Sequence, residues 1–455
     1  MRTRHPLIVA SFLIGLFSVA LPAAAQTPGA QPYTLEEIYR SALRQGERIG
    51  IAAQSLEISR YDRERALSLL QPRLSAFGSY RRYKEEEVLF GSTIQPRWEN
   101  SYGVKAEQSV TLNGRELTAL RIAEQGIAKN EADVEAVTQE YLFAAAQSYY
   151  DVVKIDQAVA IANANVRRLQ THRASVERRL QLAEVPKTEL FRTQAELAKG
   201  ESDLIQAQNA LSLAKANLVR LTGLPIDFEL LSQEVVEHRT IPTDLALLKE
   251  NAFDQRAELK SLAIEEEIAS RQIDFEKGAY WPRLGVEGVW MRMDQSPDPL
   301  LRETAYVAAT VTFDFYDGGL RSAQVAQAKA RRKQAELVHR ETQRRIALEV
   351  EQAWRNWNTQ EGLLQSSSSQ LHYARENFNA VTRLFAHGLA NSVDVMDANT
   401  VLVTAERQHS EAEYNLRLAA LALDRSQGVH LEGVKDRSPE GTGSSAGALQ
   451  RGTQR

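Results

Sequence analysis

Asp394 and Asp397 are the pair whose spacing invites a chemical reading. Three residues apart in the segment GLANSVDVMDA (Gly388 to Ala398), they fall on one face of a helix and concentrate negative charge there. An acidic first turn also suits the positive end of a helix dipole, with Asn391 or Ser392 as its N-cap. Spacing alone leaves both roles open. Beyond His5 near the N-terminus, the histidines (His172, His238, His339, His372, His387, His409, His430) are scattered, with no i,i+4 pair and no cysteine to join them, so no metal site is expected. No phosphate loop or nucleophile motif is found. Ser366 to Ser369 reads as a solvated helical patch and Glu85 to Glu87 as a wet loop. Nothing points to catalysis or to a cofactor.

The elements that carry this pair are written twice. A plan running from about Tyr33 to Gly223 returns between Asp244 and Gly428: Gln71-Pro72-Arg73-Leu74 as Trp281-Pro282-Arg283-Leu284, Asn113-Gly114 as Gly318-Gly319, and the RLTG ending at Gly223 as the RSQG ending at Gly428. Each copy opens with a helix; in the first, Thr34 and Glu37 form a capping box and the helix runs to about Leu70, before Pro72. Two strands of about ten residues follow in each copy, at 74–84 and 101–112, then at 284–293 and 304–315. Tyr102, Val104, Ala106, Val110 and Leu112 share one face, broken only by Gln108. The connecting stretch from Lys84 to Arg97 reads as a loop facing water. Trp98, Trp281 and Trp290 fall at or near strand ends, where an interfacial girdle would sit.

A long helical hairpin closes each copy, over 115–222 and 320–427, turning at Ala183 to Thr188 and at His387 to Ser392. Its first arms span roughly 100 Å at 1.5 Å per residue, too long for a globular core but suited to a coiled coil. Leu190, Leu197, Leu204, Leu211 and Leu218 make a heptad seam beside Thr193, Gly200, Ala207 and Ala214; Ala398, Ala405, Ala412 and Ala419 take the small-residue positions in the second copy. A linker over 224–243 joins the halves.

Residues 1–25 read as a secretory signal peptide, with Arg2 and Arg4, an apolar stretch from Leu7 to Leu21, and Ala23-Ala24-Ala25. The chain has no cysteine, which excludes disulfides and a lipid-modified N-terminal cysteine. No later run is apolar enough for a transmembrane helix, but the strands have the length that crosses a bilayer at a tilt. The net charge of −4 gives no sign of nucleic-acid binding. The Ser/Gly-rich stretch 429–455 reads as a disordered tail.

Together the duplication, the strand pairs, the unequal hairpins and GLANSVDVMDA resemble the TolC-like outer membrane factor family, over nearly everything from Tyr33 to Gly428. The resemblance implies a mainly α fold with a small β part: a homotrimer whose pooled strands make a twelve-stranded barrel in outer-membrane lipid, above a helical periplasmic tunnel. It implies a passive exit duct for efflux or type I secretion, fed by an inner-membrane RND or ABC transporter through a periplasmic adaptor. Asp394 and Asp397 match the family's acidic rings at the narrowest point, which favour cations and bind divalent blockers. Phe385 and Ala390 stand where TolC carries a latching Tyr and Arg, leaving Thr188 and Glu189 of the first turn, with Phe385, as candidate aperture contacts. By family position, Val185, Pro186, Gly388 and Leu389 are the tips where an adaptor docks. The alternative is a soluble periplasmic coiled-coil scaffold or adaptor.

Overall fold

The computed structural model describes residues 32–90, 92–225, 227–231, 244–299 and 302–431. The signal peptide, 232–243 of the linker and 432–455 of the tail lie outside the described residues. The chain runs α1 (Leu35–Gln45), α2 (Glu47–Ser68), β1 (Arg73–Arg82), β2 (Glu87–Leu89), β3 (Ser92–Gln95), β4 (Trp98–Thr111), α3 (Arg115–Gln181) and α4 (Lys187–Thr222). It continues as α5 (Leu245–Gln255), α6 (Ala257–Gly278), β5 (Arg283–Ser296), β6 (Glu303–Thr312), α7 (Leu320–Ala386) and α8 (Ser392–Ser426).

The duplication is visible in backbone conformation. Left-handed residues recur in pairs 205 residues apart: Gly114 with Gly319, Ala183 with Gly388, Gly223 with Gly428. The two hairpin turns close alike, Glu184 N–H donating to Arg179 O (2.9 Å) and Leu389 N–H to Leu384 O (2.9 Å). Only the second turn has glycine for its left-handed residue; Ala183 takes that conformation at φ 58°, at a cost of roughly 1 kcal/mol.

The opening helix is not continuous to Leu70. It bends at Gly46, whose N–H still donates to Ala42 O at 2.8 Å. A Cβ here would lie 2.7 Å from Ala42 O and 2.8 Å from Tyr141 Cε1, so α3 packs where a side chain would stand. In the second half, Arg256 occupies the α5/α6 bend and holds it with ions instead. It is buried (5% exposed) and donates to Glu258 and, at 2.8 Å, to Glu349 of α7; Arg425 of α8 also reaches Glu349. Around the first bend lies the largest core, with Ile38, Ala42, Leu142, Ala145, Ala146 and Leu218 fully buried. Each such leucine or isoleucine contributes about 1.5–3 kcal/mol. The second bend has a smaller copy, with Leu248, Val350 and Leu423.

The seams pack as their residue sizes dictate. Thr193, Leu197, Gly200, Ala214 and Leu218 of α4 are buried, and Leu169 of α3 lies 3.0 Å from where a Gly200 Cβ would be. Ala398, Ala405, Ala412 and Ala419 of α8 are buried too. Small residues let the paired helices approach closely along their length.

The strands form one antiparallel sheet in the order β1-β4-β5-β6, so β4 against β5 joins the two halves. The stretch expected to be a plain loop contains a second sheet, the β2–β3 hairpin, whose Phe90 tip is exposed. β5 reaches Ser296 rather than stopping at Met293, which places Trp290 mid-strand. β6 ends at Thr312, and Phe313 and Phe315 meet edge to face beyond it, 4.9 Å between centroids.

Candidate functional site

Two regions have chemistry: the sheet at one end of the helices and the hairpin turns at the other. Pairing registers sort the sheet into two faces. One carries the rows Ala76–Val104–Trp290–Ala305, Leu74–Ala106–Gly288–Val307 and, on β4 to β6, Val110–Leu284–Val311. Tyr102 to Val110 along β4 spans roughly 27 Å at about 3.4 Å per residue, close to the about 25 Å apolar band of a membrane barrel. Gln108, the polar residue of β4 within this span, sits at the helix side and donates to Leu69 O at the end of α2 (3.0 Å), while Arg292 and Glu303 join the face at the Tyr102 end. The opposite face holds the charged pairs, beside Phe77, Val289 and Met291: Lys105 Nζ lies 2.7 Å from Glu107 and 3.1 Å from Glu287, and Ser79 shares a 2.8 Å hydrogen bond with Ser101. Among the described residues, the outer edges of β1 and β6 have no strand partner. No described helix is long and apolar enough to cross a membrane.

At the far end, Asn391 caps α8 in a reciprocal box with Asp394: Asp394 N–H donates to Asn391 Oδ1 (3.0 Å) and Asn391 N–H to Asp394 Oδ2 (2.9 Å). Asp394 therefore fills the ordinary capping role and remains exposed. Asp397, also exposed, has no hydrogen-bond or ion-pair partner among the described residues. Ser392, Val395, Met396, Ala398 and Asn399 form the buried side of the same turns, so both carboxylates face away from the chain's own packing.

The other expected site residues divide. Thr188 is exposed and Glu189 half-buried on the first turn of α4. Val185 is half-buried, Pro186 N-caps α4 and is exposed, and Gly388 and Leu389 are exposed, Leu389 to 76%. Phe385, the third candidate aperture contact, points inward in this chain. It is buried at 4% exposure among Val176, Val395, Val185 and Leu190, because an aromatic ring at that position fills the space between the hairpins.

What joins the hairpins near their tips is a polar seam from α3. Arg179 donates to Phe385 O (2.6 Å) and Ala386 O (3.0 Å), the last carbonyls of α7, with its guanidinium over the Phe385 ring. His172 Nε2 lies 2.8 Å from Ser392 Oγ, and Thr193 Oγ1 is 3.4 Å from the same hydroxyl. Arg168 donates to Asn399 Oδ1 (3.0 Å) and pairs with Glu406 (3.0 Å), while Asn399 Nδ2 donates to Asn165 (2.7 Å). Sequence reading missed Arg168, Arg179 and the His172 contact. Their partners lie more than 200 positions away, and only the duplication hinted that the turns would meet.

The chain matches the family model for outer membrane efflux proteins over residues 38–224 and again over 248–429. It belongs to the outer membrane efflux protein family. That family consists of channels rather than enzymes and resides in the outer membrane with a periplasmic part. Among relatives of this efflux-family chain, outer membrane efflux protein BepC of Brucella suis is 20% identical over 64% of the chain and 63% of its own length. Alkaline protease secretion protein AprF of Pseudomonas aeruginosa is 21% identical over 64% of the chain and 62% of its own length. The chain thus spans less than two thirds of either relative. The crystal structure of the outer membrane protein VceC from Vibrio cholerae superposes with a TM-score of 0.74 at 17% identity, over 87% of this chain and 96% of that one. The efflux-family fold is thereby shared, mainly helical with a small sheet.

Proposed function

We propose that three copies of this chain close a single barrel and a helical tunnel, forming a passive exit duct for efflux or type I secretion. One observation carries the reading: a four-stranded sheet with one apolar face and two unpaired edges caps helices roughly 100 Å long. Four strands cannot close, and an open edge in lipid leaves backbone groups unpaired at several kcal/mol each. β1 and β6 are both ten residues long and run in opposite directions, so β6 of one copy can pair antiparallel with β1 of the next. Three copies supply twelve strands, an even number that closes without a parallel seam. The apolar face then meets lipid and the Lys105 face lines the lumen. A soluble scaffold would leave that apolar face in water.

At the other end, the outward carboxylates of Asp394 and Asp397 become two stacked rings at the aperture. The exposed tips Val185, Pro186, Gly388 and Leu389 are the surface an adaptor hairpin meets, linking the duct to an RND or ABC transporter. The names of BepC and AprF speak respectively of efflux and of secretion, and both uses suit a duct whose cargo is chosen by its pump.

Conductance in a planar bilayer tests the aperture. Asp397→Asn, which leaves the Asn391–Asp394 cap intact, is expected to reduce cation preference and weaken block by divalent cations. Asp394→Asn/Asp397→Asn is expected to remove most of both. Unchanged selectivity and unchanged block in the double variant would refute the ring assignment.

A further inference from the structure

His172 has a place in the tip that the family's acidic rings do not explain. From α3 it touches both arms of the second hairpin: Nε2 is 2.8 Å from Ser392 Oγ at the start of α8, and its ring packs on Phe385 of α7 with centroids 4.9 Å apart. Ser392 has no exposed surface. The contact fixes the turn that carries Asp394, two residues on.

The groups around the ring are mostly neutral or cationic. From α3 these are Arg168 and Arg179, with Arg167 and Arg178 lining the same groove; from α4, Thr193, with Glu189 one turn earlier. α7 presents Phe378 and Phe385. α8 presents Ser392 and Asn399, while Asp394 is turned to its own cap. The ring also lines an open groove of about 560 Å³ between α3, α7 and α8, through which protons reach it.

We propose that His172 is the positioning residue that seats the first turn of α8, and with it Asp394 and Asp397, and that protonating its ring unseats that turn. The consequence for conduction rests on the aperture reading above; the seating does not. Burial, and then the charge of Arg179, push the imidazole down to about 4. A histidine with a depressed pKa contributes its full share of stability above its unfolded value of 6.5 and loses it as pH falls toward about 4. Once protonated, the ring is a second cation beside Arg179 in a site largely closed to water; Ser392 Oγ alone does not offset that charge, so the ring turns into the groove and leaves Ser392.

The chain's lack of cysteine allows a single spin label at Thr400→Cys, an exposed position on α8. Its line shape is read on the full-length protein in detergent, from neutral pH to about 4. A mobile component is expected to grow as pH falls below 6.5. His172→Asn, which cannot titrate, and His172→Phe, which keeps the ring packing, are expected to abolish that pH dependence. Arg179→Gln is expected to move the midpoint upward. The proposal is overturned if the label does not respond, if the same profile persists in His172→Asn, or if the Arg179→Gln midpoint stays put. This readout follows helix motion whether or not the aspartates set conductance, so failure of the ring reading leaves it intact.

Discussion

Gly103→Ala is expected to prevent the sheet from assembling, and with it any membrane-inserted oligomer. Gly103 lies in β4 opposite Met291 of β5, in the pairing that joins the two halves. A Cβ there would overlap the Trp290 carbonyl oxygen and come within 2.9 Å of Met291 Cα, with Phe77 Cζ at 3.1 Å. The first two obstacles are backbone, so no rotamer relieves them; either β4 and β5 separate or the strand shifts. A register slip of one residue would turn every apolar side chain to the wrong face. Two other strand glycines are internal controls: Gly78 and Gly285 have nothing nearer than 3.8 Å to an added Cβ. Gly78→Ala and Gly285→Ala are expected to insert as the native chain does. Outer-membrane fractionation with native gel electrophoresis checks all three. Normal assembly of Gly103→Ala would mean that β4 and β5 do not pair as described.

The second large effect is expected at the α5/α6 bend. Arg256→Ala leaves Glu258 and Glu349 facing each other without the cation between them. Breaking a fully buried pair costs about 3–5 kcal/mol; here both carboxylates keep about a third of their exposure (35% and 34%), so about 2–3 kcal/mol is expected. Burial, the largest influence on Glu258, raises its carboxyl; hydrogen bonding and charge from Arg256, with its own backbone N–H and Arg425, outweigh this and hold it below the usual range of 4.5. A depressed carboxyl stabilises the fold above its unfolded pKa and loses that contribution as pH falls through the lower folded value. The stability gap between native chain and Arg256→Ala is therefore widest at neutral pH and narrows below 4.5. Thermal unfolding in detergent at several pH values measures it. A gap that does not change with pH would assign Arg256 a packing role only.

How far these features could be read from sequence depends on how local their causes are. The strands and hairpins follow from alternation and heptads, and the turns at Ala183 and Gly388 from breaks in those periods. The bend at Gly46 has no such signal. Helical pattern continues on both sides, and its cause, Tyr141, belongs to another helix. β5 runs past its apolar stretch because Asp294, Gln295 and Ser296 pair with Asn100, Glu99 and Trp98 of β4, which alternation within one strand cannot reveal. Likewise Asp394 and Asp397 were legible as an acidic turn, but the Ser392 anchor beneath them depends on His172, 220 positions away. Phe385 read as a candidate aperture contact from family position alone. Its burial follows from the meeting of the two hairpins, which a single period does not encode.

Electron microscopy of the detergent-extracted outer-membrane protein tests the duct most directly. The account predicts a three-fold particle with a hollow, thin-walled cylinder, its helical wall on the order of 100 Å long, capped by a barrel. A protein that stays soluble without detergent, or a particle with no hollow cylinder, would contradict it.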